Sequence, residues 1–296
     1  MKAAMAAAGL NPPELEPGKL VRFPGVNKPP TNRAGWAFLF ADGRAGAFGC
    51  WATGLREVWH DAGRGFLSRS ERETLRRQLA QAKRQADAER AERWANAAGR
   101  AREIWRTARP ADPSHAYLQR KRIRPHCARQ SGTRLVLPVC DFDGALHSLQ
   151  FIDPAGGKLL LAGGRKAGHF IPVSGRRGAA RVVVAEGYAT GATLADAEPG
   201  ALVLAAIDAG NLEAVAVAAR QRYPAAEIVI ACDADRVGIE KGRAAAIACG
   251  GRVAIPEFPP GVPGSDWNDF HQAVAGRRAP LELESQRVRF LTSTAP

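Results

Sequence analysis

Two stretches decide how this chain folds: RVVVAEGYATGATL (181–194) and EIVIACDADRVGIEKG (227–242). Each opens with a run of apolar, largely β-branched residues that does not alternate with polar ones, then breaks at an acid. A run that is apolar on both faces reads as a strand covered on both sides, as in a parallel sheet. ALVLAAI (201–207) and RVAI (252–255) repeat the pattern, and alanine-rich helical stretches lie between the runs. Strands alternating with crossover helices predict a parallel α/β sheet with flanking helices.

The acids follow the strands. Glu186 ends the first run, Asp208 follows the second, Asp233 and Asp235 follow the third, and Asp266 and Asp269 lie in the loop beyond the fourth. In an open parallel sheet all carboxyl ends share one edge, and ligands bind there. Any one of these acids is accounted for by a helix N-cap. Glu186, Asp233 and Asp235 together, after neighbouring strands, are not. Converging carboxylates repel unless a cation neutralises them, and hard oxygen donors on separate loops suit Mg²⁺ or Mn²⁺. Gly187 and Gly238 are read as positions where the backbone must turn sharply beside an acid. No GxGxxG follows the first strand and no GxxxxGK[ST] occurs, which argues against a dinucleotide fold and a P-loop engine.

Upstream, RLVLPVCDFDG, ALHSLQFI and KLLLAG (within 134–163) are short apolar runs split by Asp143-Gly144 and Pro154-Ala155-Gly156-Gly157, which predict hairpins. Before them, Ser68-x-x-Glu71 and Ser70-x-x-Glu73 are capping boxes opening a long basic helix, with a break expected near Gly99. Leu75, Leu79, Ala82 and Ala86 form its apolar stripe, and Arg109-Pro110 ends it. The first 60 residues are rich in Gly, Pro and aromatics, with a turn at Asp42-Gly43. They predict a small antiparallel sheet with Trp36, Trp51 and Trp59 in its core. The boundaries expected are a β-rich module over 1–62, the basic helix over 67–109, a β-rich subdomain over 110–178, the α/β domain over 179–278 and a polar tail over 279–296.

The 296 residues carry 42 Lys+Arg against 29 Asp+Glu, a net charge of +13, which favours a polyanionic partner. Arginine outnumbers lysine about four to one, as a GC-rich genome would also produce. No apolar run approaches the ~18 residues of a membrane span. The start of the chain reads as a frayed terminus without a secretory h-region. Five scattered cysteines without a CxxC pair give neither a zinc ribbon nor a disulfide framework, so a reducing cytoplasm is the expected compartment.

The words VVVAEGYATGATL (182–194), AAIDAGNLEAVA (205–216), IACDADRVGIEKGRAAA (230–246) and GSDWNDFHQA (264–273) resemble the Toprim-containing primases of plasmids, conjugative elements and phages. The β-rich run 134–164 resembles the subdomain preceding Toprim in primase cores, and HAYLQRKRI (115–123) the short element before it. The resemblance implies primer synthesis for a mobile element: a hydroxyl attacks the α-phosphate of a nucleoside triphosphate on a single-stranded DNA template, with a separate replicative helicase as partner. It implies that Asp233 and Asp235 hold the metal, with Asp208 and Asp266 in support and Glu186 as a further ligand or the general base. Arg134, Lys158, Arg165 and Lys166 would position the template. Phe151 and Phe170 are either stacking platforms or core. Arg236 and Lys241 would meet the triphosphate or stand solvated on a helix start. The pattern departs from such primases in having only Cys50 as a soft ligand within residues 1–60, and in the spacing of Asp266-Trp267-Asn268-Asp269. A Toprim nuclease and a non-catalytic nucleic-acid-binding module are the competing readings.

Overall fold

The structure is a computed structural model that describes residues 1–61, 67–176 and 178–274, and the backbone of 288–292. The chain divides into two compact units, Met1–Ala91 and Glu92–Pro296.

In the first unit, a short helix α1 (Lys2–Ala7) precedes an antiparallel meander of β1 (Leu20–Phe23), β2 (Gly35–Leu39), β3 (Ala45–Cys50) and β4 (Leu55–His60). Asp42-Gly43 makes the β2–β3 turn, with Gly43 at φ +68° and the Arg44 amide donating to Asp42. Strand alternation sorts the side chains onto two faces. Ala37, Phe48 and Cys50 pack with Met5, Leu10 and Phe23, and Trp36, Phe38 and Ala47 pack with Leu67 and Leu75. The start of the chain is therefore not frayed, because Met5 is fully buried. Trp51 is not a core residue: it is 46% exposed, lying 6.1 Å from Trp36 with the Arg22 guanidinium 4.8 Å above its ring.

Helix α2 (Arg69–Thr107) spans both units. Ser68 closes a capping box with Glu71, the Ser68 amide donating to the carboxylate at 2.7 Å and the Glu71 amide to the Ser68 hydroxyl at 3.3 Å. Ser70 and Glu73 lie inside the first turns instead. The helix runs through Gly99 without a break.

In the second unit, β5 (Arg109–Pro110), the short helix α3 (Ala116–Lys121), β6 (Arg129–Ser131), β7 (Arg134–Cys140), β8 (Leu146–Ile152) and β9 (Lys158–Leu160) follow, the five strands forming an antiparallel sheet in chain order. Asp143-Gly144 and Ala155-Gly156 sit in its hairpins, with Gly144 at φ +87° and Gly156 at φ +98°. Leu135, Leu137 and Val139 on one face join the core of the following domain, and Val136 and Leu149 on the other pack against Ala101 of α2.

Then come β10 (Ile171–Ser174), β11 (Arg181–Ala185), α4 (Tyr188–Ala197), β12 (Leu202–Ala205), α5 (Leu212–Arg222), β13 (Glu227–Ala231), α6 (Arg236–Cys249), β14 (Arg252–Pro256), α7 (Trp267–Val274) and β15 (Val288–Thr292). The sheet order is β10-β12-β11-β13-β14-β15. The four central strands are parallel and covered on both faces, with Val183, Val203 and Val229 in one core and Val182, Leu204 and Ile230 in the other. The two edge strands are antiparallel, so the sheet is mixed. β10 falls within the segment expected to be β-rich primase core, yet it pairs with β12. The bridge between Cys140 and Phe170 joins β7 to the residue just before β10, and the chain crosses there from one sheet to the other. β15 replaces part of the expected polar tail, whose residues 279–287 and 293–296 lie outside the described residues.

Candidate active site

β11 and β13 are adjacent and in register, so Glu186 and Asp233, one and two residues past their ends, emerge on the same edge. Both line a cleft of about 470 Å³, together with Asp208, Asp266, Lys121 and Lys158. Two carboxylate oxygens there, Glu186 Oε2 and Asp233 Oδ1, are buried without a hydrogen-bond partner. Burial, reinforced by Glu186, Asp266 and Asp235, pushes the Asp233 carboxyl up to about 7, against a smaller opposing pull from Lys158. Glu186 is also raised, first by burial and then by Asp235, with Lys158 opposing and Asp208 adding to the rise. Carboxyls that lose water and face one another resist ionising until a cation joins them.

The remaining acids are committed to other partners. Asp208 accepts from Lys166 at 2.7 Å. Asp235 is exposed and caps α6 by accepting from the Gly238 amide at 2.7 Å. Asp266 accepts from the Asp269 amide at 2.7 Å and from Lys121 at 3.2 Å, and Lys121 also reaches Asp269 at 3.2 Å. Of the five expected ligands, Glu186, Asp208, Asp233 and Asp266 line the cleft, and Asp235 is absent from its lining. Among the described residues no group of three or more His, Cys, Asp or Glu closes into a metal-binding cluster. The two orphaned oxygens of Glu186 and Asp233 suit an ion that takes one or two carboxylates and completes its shell with water and phosphate, as Mg²⁺ does.

Local structure fixes these positions. The loop of Asp266 docks on the turn of Asp233, with the Ala234 amide donating to the Ser265 carbonyl at 2.7 Å and the buried Trp267 indole to the Cys232 carbonyl at 3.2 Å. Asn268 donates to the Lys121 carbonyl and to Thr193, tying α7 to α3 and α4. Ile207, which lines the cleft before Asp208, has φ +80°, a costly conformation for a β-branched residue and one that recurs at functional sites. Asn211 holds the 166–169 loop through the carbonyls of Lys166 and His169, bringing Lys166 to Asp208.

Gly238 is tight for packing reasons: a Cβ there would lie 2.7 Å from the Asp233 carbonyl oxygen. Gly187 differs from the expectation. Its φ of −127° is open to any residue, and its nearest neighbour is the Lys158 ammonium at 3.6 Å from a would-be Cβ. Of the basic residues expected to hold nucleic acid, Lys158 points at the acids and Lys166 is ion-paired to Asp208. Arg165 lies 4.8 Å over the Trp94 ring. Arg134 is exposed at the start of β7, and Arg236 and Lys241 are exposed on α6, with Lys241 3.7 Å from Glu240; none of these three lines the cleft. Phe170 is core and Phe151 packs at a core edge. Sequence reasoning missed Tyr117, Arg120 and Lys121 as cleft residues. The signals for them were the resemblance of HAYLQRKRI (115–123) to a primase-core element and a pair of cations in the last turn of a six-residue helix.

Residues 181–276 match the family model of the Toprim domain. Two curated proteins of Escherichia coli, each named DNA primase TraC, are 36% identical over 166 residues and 38% identical over 160. The alignments cover 51% and 49% of this chain but only 11% and 15% of those relatives, so it spans a small part of their length. The primase fragment of the bacteriophage T7 primase-helicase protein gives a TM-score of 0.41 at 14% identity, covering 86% of this chain and 94% of that one. The Aquifex aeolicus primase, in its zinc binding and RNA polymerase domains, also gives 0.41 at 14%, covering 91% and 79%.

Proposed function

We propose that this chain is a DNA primase-type nucleotidyltransferase, making short primers on single-stranded DNA with Mg²⁺ or Mn²⁺, in the cytoplasm and in the replication of a mobile element. The observation that carries the reading is the pair of buried carboxylates, Glu186 and Asp233, each with an unpartnered oxygen, in a cleft walled by lysines.

Asp233 and Glu186 would hold the ion. A divalent cation there stabilises charge on phosphoryl oxygens and lowers the pKa of a hydroxyl bound to it. The chain's own residues do the rest. Glu186, with a proton affinity above that of an ordinary carboxylate, accepts the proton of the attacking 3′-hydroxyl. The hydroxyl oxygen bonds to the α-phosphorus of the incoming nucleoside triphosphate, and pyrophosphate leaves. Lys158 and Arg120 supply positive charge on the cleft wall for the triphosphate, while Lys121 neutralises Asp266 and Asp269 beside them. Asp235 fixes the start of α6 and adds negative charge at the rim. A separate replicative helicase would present the template.

Incubation with single-stranded DNA, labelled nucleoside triphosphates and Mg²⁺ or Mn²⁺ tests the reading. New oligonucleotides are the expected result. Shortened DNA would make the same rim a nuclease, and binding without either product would make the chain an accessory module.

A further inference from the structure

Away from the carboxylate cleft, a groove of about 640 Å³ lies between the second half of α2 and the five-stranded sheet. Arg102, Trp105 and Arg106 line it from the helix, Arg129 from β6, and Cys140 and Leu146 from the sheet. No acidic side chain is among its described lining residues. Arg129 is fixed in place: its Nη1 donates to the Trp105 carbonyl at 2.6 Å, and its guanidinium lies 4.3 Å from the centre of the Trp105 ring. Arg102 is exposed and makes no ion pair with a described residue, whereas Arg106, also exposed, pairs with Glu103 one turn back at 2.7 Å and would exchange that carboxylate for a phosphate. The same pairing recurs along the helix, where Arg165 lies 4.8 Å over Trp94. Trp94 and Trp105 are eleven residues apart, which is about three turns and roughly 16 Å, so both project from one face.

We propose that this groove binds single-stranded DNA, bases stacking on the flat Trp–Arg surfaces while Arg102 and Arg106 meet the phosphates. Stacking platforms beside a cationic track are what a single strand needs. A duplex hides its base faces and leaves such platforms unused. The groove and the cleft lie at opposite ends of β8: Leu146 opens the strand at the groove, and Ile152 closes it just before the Ala155-Gly156 turn of the cleft. Seven residues of strand separate them by about 20 Å. The inference deepens the proposed function and rests on it only in identifying the bound strand as the template.

The test is fluorescence anisotropy with a labelled oligothymidylate at several salt concentrations, using the whole chain. Arg102→Glu/Arg106→Glu should weaken binding by about tenfold or more and lower the log–log salt slope by about 1.4, the value for two lost phosphate contacts. Arg76→Glu/Arg84→Glu, an equal charge reversal on exposed residues of the first half of α2, should leave both unchanged. Trp105→Leu should weaken binding about fivefold or more, and Trp105→Phe should restore it. Unchanged affinity in Arg102→Glu/Arg106→Glu, or equal losses in the control pair, would overturn the proposal whether or not Trp105→Leu folds. If that happens while the wild type still makes primers, the proposed function stands without the groove. If binding is lost as expected but the wild type makes no primers, the groove stands and the primase reading falls.

Discussion

Lys121 donates to Asp266 across 145 residues of sequence, with 3.2 Å between Nζ and Oδ2, joining the short helix between β5 and β6 to the loop after the last parallel strand. Burial alone would lower the ammonium's pKa, but Asp266 and Asp269 together outweigh it and hold Lys121 above its ordinary value. The lysine thus neutralises one side of the rim and leaves Glu186 and Asp233 as the open side.

Lys121→Met should therefore leave Asp266 and Asp269 facing each other without a cation. Because the pair is about three-quarters buried, the expected loss is about 1–3 kcal/mol, below that of a fully buried pair. Urea unfolding of the single and double variants checks this: Lys121→Met/Asp266→Asn should recover part of the loss. Strict additivity would show that the two residues do not interact.

Asp233 sets a pH dependence of opposite sign to that of an ordinary ion-paired acid. Its folded-state pKa of about 7 lies above the unfolded value of 3.8. Between those values the folded state binds more protons than the unfolded one, so its contribution to stability falls as pH rises from 4 to 7. The ceiling is about 4 kcal/mol for a shift of this size. In a metal chelator, the wild type should melt at a lower temperature at pH 8 than at pH 5.5. Asp233→Asn should flatten that dependence and melt higher than wild type at pH 8. A wild type that gains stability over this range would contradict the burial of Asp233.

The two glycines of the rim should behave differently. Gly238→Ala places a methyl 2.7 Å from the Asp233 backbone, an overlap that costs about 1–3 kcal/mol and displaces the acid. Gly187→Ala meets nothing closer than 3.6 Å in an ordinary extended conformation. Its melting temperature should stay near that of the wild type. Equal destabilisation of the two variants would remove the distinction drawn between them.

Lys158 faces Glu186 and Asp233, so Lys158→Ala should act on the nucleotide and not on the DNA. The expected result is a rise of about tenfold in the KM for nucleoside triphosphate, the size of one charge-assisted contact. Affinity for oligothymidylate should be nearly unchanged. The reverse pattern would return Lys158 to the template track.

The parallel strands were legible because both of their faces are buried, which removes alternation from the sequence, and the hairpins because Asp-Gly and Gly-Gly mark sharp turns. The acids at the rim were legible by position alone. What sequence could not show was which cation reaches which acid. Lys166 and Asp208 are 42 residues apart and Lys121 and Asp266 are 145 apart, and no local periodicity connects them. β10 and β15 were missed for a related reason: short antiparallel edge strands are defined by a distant partner and carry little pattern of their own. Trp51 was misplaced because an exposed tryptophan stacked under an arginine has the same composition signal as a buried one.

The most direct measurement is metal-dependent primer synthesis by Asp233→Asn beside wild type, on single-stranded DNA with labelled nucleoside triphosphates and Mg²⁺ or Mn²⁺. A neutral amide is a poor ligand for a hard dication. The account predicts that the wild type makes oligonucleotides and the variant, folded and at least as stable, makes none. Primers from Asp233→Asn at a near-normal rate would contradict it.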